Sequence, residues 1–214
     1  MPHFRNIQYF SAILICLAVI PVAVATAGVG LPTGEYSMAY QGPGTLTMYV
    51  VPDGSGDSFD QATLPFGGQE DATITLLLKD AADQPIANFP REDIWLESRD
   101  AGLMMCRAGT IADANTDALG MTQWRNPLHA GGHSQALTDV FVNGSTLELA
   151  YGLPLSFNSP DINGDLVVNL TDVQQFSSDF FDNIFYFRSD FHRDGVINLS
   201  DLPDLANALG ANCP

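Results

Sequence analysis

The sequence predicts a mainly β N-terminal domain, built as a sandwich, followed by a small α-helical C-terminal domain. Three observations carry that expectation. Short apolar or alternating runs, split by turn residues, fill residues 45–157. The composition then changes at Ser159-Pro160: from there to residue 214 the chain has nine Asp, no Glu, and only Arg188 and Arg193 as bases. Past that point a twelve-residue pattern occurs twice, each copy followed by an apolar stripe at helical spacing.

The first element is a leader. His3 and Arg5 precede an apolar run over residues 13–24, and Ala25-Thr26-Ala27 supplies the small residues that signal peptidase accepts. The run is short for a span of ~20 residues, and Pro21 near its end suits a leader. Cleavage after Ala27 is expected, giving a bacterial protein that is secreted or held at the cell surface, with no membrane span after cleavage. Cys16 departs with the leader, leaving Cys106 and Cys213 in an oxidising compartment. One intramolecular disulfide is open to them, although the sequence alone does not place their Cα atoms within reach.

Residues 28–157 form the sandwich. Strands are expected over 45–51, 73–78, 94–97, 103–106, 138–142, 147–151 and 153–157. Turns fall at Pro52-Asp53-Gly54, residues 80–85, residues 115–120, Gly131-Gly132 and Asn143-Gly144. Asn143-Gly144 between two apolar runs is a hairpin signal. About seven short strands with frequent turns indicate a β-sandwich. Within residues 72–97 an alternating strand runs into Asp80-Ala81 and Pro85 and then into a second strand; Thr116-Asp117-Ala118-Leu119-Gly120 precedes another. This arrangement resembles the immunoglobulin-like (Ig-like) domains of bacterial invasin-type surface proteins. The resemblance covers about half of the mature chain and implies a spacer or adhesive module.

Residues 158–214 hold the repeat. The copies begin at Asp161 and Asp190, 29 residues apart. A hard cation such as Ca²⁺ takes six to eight oxygen ligands at ~2.3–2.6 Å, and a twelve-residue loop offers them from positions 1, 3, 5, 7, 9 and 12. In the first copy these are Asp161, Asn163, Asp165, the Val167 carbonyl, Asn169 and Asp172; in the second, Asp190, His192, Asp194, the Val196 carbonyl, Asn198 and Asp201. Two Ca²⁺ sites are expected. At position 8, Val168 and Ile197 are expected to pair the loops through a short strand contact. A helix should follow each loop. Thr171 and Gln174 form a capping box for the first, with Val173, Phe176 and Phe180 on one face. Leu202, Leu205, Ala206 and Leu209 form the stripe of the second, with Pro203 in its first turn and Gly210 at its end.

A duplicated loop of this kind, each copy followed by one helix, closely resembles the dockerin family over residues 161–210. That resemblance implies a small calcium-folded module that plugs into a cohesin-like partner or packs on the chain's own sandwich. Three departures matter. Leu166 stands at position 6, where glycine is expected for a turn with positive φ, so the first site is expected to be weaker. His192 puts an imidazole at position 3. Positions 10 and 11 are Leu170-Thr171 and Leu199-Ser200, which match each other but lack the family's common Ser-Thr pair.

Other signals exclude more than they assign. A net charge of −17 argues against nucleic acid as a partner. His129, Gly131, Gly132 and His133 read as a surface hairpin loop rather than a zinc site. Glu35, Glu70, Glu92, Glu97 and Glu148 are scattered, and no catalytic constellation emerges. Trp95 and Trp124 leave carbohydrate open as a partner, although both read better as core or rim of the sandwich. The expected function is non-catalytic binding or anchoring. The alternatives are a small hydrolase or accessory protein of a cohesin-bearing polysaccharide-degrading complex, and a calcium-stabilised subunit of a surface layer or fibre.

Overall fold

The computed structural model describes residues 32–65, 67–147, 152–182 and 184–214. The expected leader over residues 1–27, and all but the first residue of the strand expected over 147–151, lie outside the described residues.

The protein is mainly β. In chain order the strands are β1 (Thr33–Met38), β2 (Leu46–Tyr49), β3 (Ala62–Thr63), β4 (Gln69–Glu70), β5 (Ile74–Lys79), β6 (Ile94–Ser98), β7 (Leu103–Met105), β8 (Met121–Trp124), β9 (Ala130–Gly132), β10 (Thr138–Val142), β11 (Ser145–Thr146) and β12 (Leu155–Asn158). Two helices follow, α1 (Leu170–Phe181) and α2 (Leu202–Ala208). Strands β5, β6 and β10 bury every second residue, as a sheet with one face on a core requires. Antiparallel pairing gives the orders β1-β5-β8 and β11-β10-β6, and β7 pairs with β9. Their inward faces meet in one apolar core that includes Leu76, Leu96, Val140 and Trp124. The Trp124 indole N–H is satisfied by the Thr110 carbonyl at 3.0 Å.

The turns form as their residues dictate. Asn143 and Gly144 take φ of 51° and 80° and close β10 onto β11 in a two-residue hairpin. The Asp80 carboxylate accepts the N–H groups of Ala82 and Gln84, and Asp117 accepts those of Leu119 and Met121. These two turns are tied together, because the Thr116 hydroxyl donates to the Ile86 carbonyl and accepts from Phe89 N–H.

Strands β2 and β12 join the sandwich to the tail. They pair in parallel, and nearly every residue in both is buried. Strands covered on both faces read as continuous rather than alternating runs. Leu46, Met48, Leu155 and Phe157 belong to the sandwich core. On the opposite face, Tyr49 packs against the tail's own apolar cluster of Ile162, Val168, Phe176, Phe191 and Leu205, which also takes in Val51. The Tyr49 hydroxyl donates to the Asp204 carbonyl at 3.0 Å, Arg193 pairs with Asp57, and Asn158 Nδ2 donates to the Asp190 carbonyl at 2.8 Å.

The cysteine pairing left open by the sequence is made: Cys106 and Cys213 are disulfide-bonded with Cα atoms 5.6 Å apart. Two expectations need correction. The Gly131-Gly132 stretch is the buried strand β9 rather than a surface loop, because the tail lies directly on it. The second helix buries Leu205 and Ala208, whereas Leu202, Ala206 and Leu209 are exposed. With only seven residues, α2 turns one narrow edge to the tail's core.

Because the disulfide closes a segment of 107 residues, Cys213→Ser is expected to lower the unfolding free energy by roughly 2–4 kcal/mol. Denaturant unfolding of the oxidised protein beside the variant checks it.

Candidate metal centre

Each loop is anchored by aspartates that the fold hides. Asp161, Asp172 and Asp201 are fully buried, and Asp190 is 4% exposed. A buried carboxylate persists only where donors meet it, and here the donors are N–H groups of the loop itself. In the first loop Asp161 accepts from the Asp165 and Leu166 N–H groups at 3.1 and 2.8 Å. Asp172 accepts from those of Asn163 and Asn169 at 3.2 and 2.9 Å.

The second loop repeats this bond for bond. Asp190 accepts from Asp194 and Gly195 N–H at 3.2 and 2.9 Å, and Asp201 from His192 and Asn198 N–H at 2.9 and 2.8 Å. The lesser bonds correspond as well. Asp165 and Asp194 accept from Val167 and Val196 N–H. The Asn169 and Asn198 carboxamide oxygens accept from Thr171 and Ser200 N–H, and their Nδ2 groups donate to the Val167 and Val196 carbonyls.

Backbone handedness matches too. Position 4 has positive φ in both loops, 70° at Gly164 and 58° at Arg193, as does position 6, 68° at Leu166 and 84° at Gly195. Leu166 therefore adopts the conformation that glycine holds in the second copy, at a cost of about 1 kcal/mol. Asn163 is exposed and bonds to Asp165 through its side chain. His192 is exposed and contributes its backbone N–H to the loop.

Two local expectations give way. The capping box of α1 is Asn169 with Asp172, rather than Thr171 with Gln174. Asn169 stands immediately before the helix, and the Asp172 carboxylate reaches back to its N–H, so the last loop positions are also the helix cap. Val168 does not pair with Ile197. Its N–H donates to the Ala211 carbonyl and its carbonyl accepts from Gly210 N–H, both at 2.9 Å, because the chain beyond α2 returns along the first loop.

The donor set is of a kind that suits a hard cation. Each loop carries three carboxylates, an asparagine at position 9 and a backbone carbonyl, and a carboxylate oxygen that accepts one N–H retains a further lone pair. Burial pushes the Asp161 carboxyl up to about 6; the Leu166 N–H opposes the rise, and the nearby charges of Asp172 and Asp165 add to it. Burial likewise raises Asp190 and Asp201, each near further loop carboxylates. Among the described residues no Lys or Arg forms an ion pair with these loop aspartates. The carboxylates are turned onto backbone amides rather than drawn to one point, and among the described residues no group of three or more His, Cys, Asp or Glu is placed to hold a metal ion. The loops thus fit calcium in donor type and backbone register, while their acidic side chains are not gathered.

Sequence reasoning missed the brace between the loops. Arg188 grips Asp179 through Nε and a terminal nitrogen, each at 2.8 Å, and the Ser189 hydroxyl donates to the same carboxylate at 2.6 Å. The end of α1 is thereby tied to the residues that lead into Asp190. Arg188 and Arg193 being the tail's only bases was the available signal, and both form ion pairs. Burial pushes the Asp179 carboxyl up, but the hydrogen bonds from Arg188 and Ser189 outweigh it and hold the group below its usual range.

Replacing Leu166 by glycine is expected to raise stability by up to about 1 kcal/mol, by relieving the left-handed leucine; thermal unfolding reads the gain. A depressed carboxylate contributes stability that is complete above the unfolded value near pH 4 and lost as pH falls through the folded one. Asp179→Asn is therefore expected to lower stability at pH 7 and to flatten its decline below about pH 4, as measured by denaturant midpoints across pH.

Comparison with protein-family models, with curated proteins and with solved structures gives no match.

Proposed function

We propose that the chain is a secreted or cell-surface calcium-binding protein that acts as a non-catalytic binding and anchoring module, with an Ig-like sandwich carrying a dockerin-like tail. One observation carries the reading: two twelve-residue loops of different sequence share a hydrogen-bond pattern and the same two left-handed positions. Ordinary turns satisfy their own amides in many ways. Two copies that place their donors alike, with acidic or amide side chains at positions 1, 5, 9 and 12 of both, support a common ligand. In this reading Asp161, Asn163, Asp165, the Val167 carbonyl, Asn169 and Asp172 hold one ion. Asp190, Asp194, the Val196 carbonyl, Asn198 and Asp201 hold the other, and His192 faces solvent. Calcium would supply the positive charge that the buried carboxylates lack.

A docking partner is supported by what the tail leaves bare. Positions 7 and 10 are apolar and exposed in both loops, at Val167, Leu170, Val196 and Leu199. Exposed apolar positions repeated in register suit recognition by a cohesin-like surface. The Ig-like assignment of the sandwich rests on the two aspartate-centred turns and on the alternation of β5, β6 and β10. Of its two tryptophans, Trp124 is fully buried, while Trp95 is half-buried, stacks on Phe141 and donates to Glu97.

Calorimetric titration of residues 28–214 with calcium is expected to show two ions bound per chain. The melting temperature should rise with calcium, by an amount worth about 2.7 kcal/mol per site at a hundredfold excess over Kd. The double variant Asp161→Ala/Asp190→Ala should lose both effects. Calcium binding that is unaltered in the double variant, or absent from the natural chain, rejects the reading.

A further inference from the structure

The first loop does not rest on the tail alone. Its opening aspartate lies on β9, the strand formed by the Gly-Gly-His stretch of the sandwich. A methyl group added at Gly131 would stand 1.8 Å from Asp161 Oδ2, far inside contact distance, and that oxygen already accepts the Leu166 N–H. The carboxylate therefore occupies the space a side chain at 131 would need. Next in sequence, Gly132 N–H donates to the Asp161 carbonyl at 2.8 Å. Gly132 itself has φ of 74°, and a side chain there would strike the Gly102 carbonyl. His133 lines, with Gly132 and Met104, the cavity that Ile162, Asn163 and Gly164 close from the loop side, and its buried Nδ1 has no hydrogen-bond partner among the described residues. The paired strand contributes as well: Met104 of β7 lies against Gly164, at 2.7 Å from where a β-carbon would be. Gly131 and Gly132 thus meet Asp161 directly, while His133 and Met104 line the cavity beside the next residues of the loop.

The second loop is seated differently. Its sandwich contacts include the side chains of Asn158, with Nδ2 on the Asp190 carbonyl, Asp57 on Arg193, and Tyr49 on Phe191, and among the described residues no β9 residue bonds to it.

We propose that β9 is the seat of the first calcium loop, with Gly131, Gly132 and His133 acting as positioning residues for Asp161, so that calcium affinity at this loop depends on the sandwich. Gly131 is small because the metal-ligating carboxylate leans on its Cα. These residues act by seating Asp161 and the turn that follows it, and do not enter the coordination sphere. The proposal rests on the calcium reading given above and makes the two loops unequal in what they require.

The test uses residues 28–214 with calcium as the probe, in the natural sequence and in an Asp190→Ala background that isolates the first loop. Gly131→Ala is expected to weaken first-loop binding roughly 10–100-fold, the scale of second-layer changes at metal sites, while the second loop, read in an Asp161→Ala background, keeps its affinity. His133→Ala removes bulk instead of adding it, and is expected to weaken the first loop alone in the same direction. It serves as the decisive variant where Gly131→Ala does not fold. First-loop affinity unchanged in a folded variant overturns the proposal and leaves the calcium reading standing; so does an equal loss at both loops. A natural chain that binds no calcium removes both.

Discussion

The tail depends on buried carboxylates that accept N–H groups from their own loops. Asp161 and Asp190 each gather the amides of positions 5 and 6, and Asp172 and Asp201 each gather those of positions 3 and 9. Desolvating an ionised carboxylate is costly unless such donors meet it. Four of them in a tail with two bases make a charge burden that the protein alone offsets only in part. Helix α1 inherits its cap from this arrangement, since Asn169 and Asp172 serve loop and helix together.

That tail is welded to the sandwich rather than strung after it. The parallel pair β2 and β12 is shared between two apolar cores, one on each face. Phe191 stacks on Phe176 and meets Tyr49 edge-on, so an aromatic from β2 helps to complete the tail's interior. Contact through strands buried on both sides leaves little freedom for the tail to rotate against the sandwich.

Much of this was legible in the residues. Alternation in β5, β6 and β10 gave those strands within a residue or so at each end, and Asn143-Gly144 gave its hairpin. Strand β1 was invisible because only Tyr36 and Met38 of its six residues are buried, too few to set a period. Strand β9 was misread because Ala-Gly-Gly resembles a turn until the loop lying on it is known. The twelve-residue spacing fixed which residues enter the loops, and the demand for positive φ at position 6 was readable from Gly195. The return of the chain along Val168 was not, since it depends on where α2 ends and on the disulfide that holds Cys213.

The covalent link between Cys106 and Cys213 makes the second half of the molecule a closed ring. A protease cuts where the backbone is exposed, and the ring carries exposed turns such as the one over residues 117–119. Any single backbone break inside that ring, the junction between sandwich and tail included, leaves the two pieces chemically attached, and the strand and core contacts hold them in place. Severed chains would therefore stay assembled, and releasing the tail would require both a cut and a reductant.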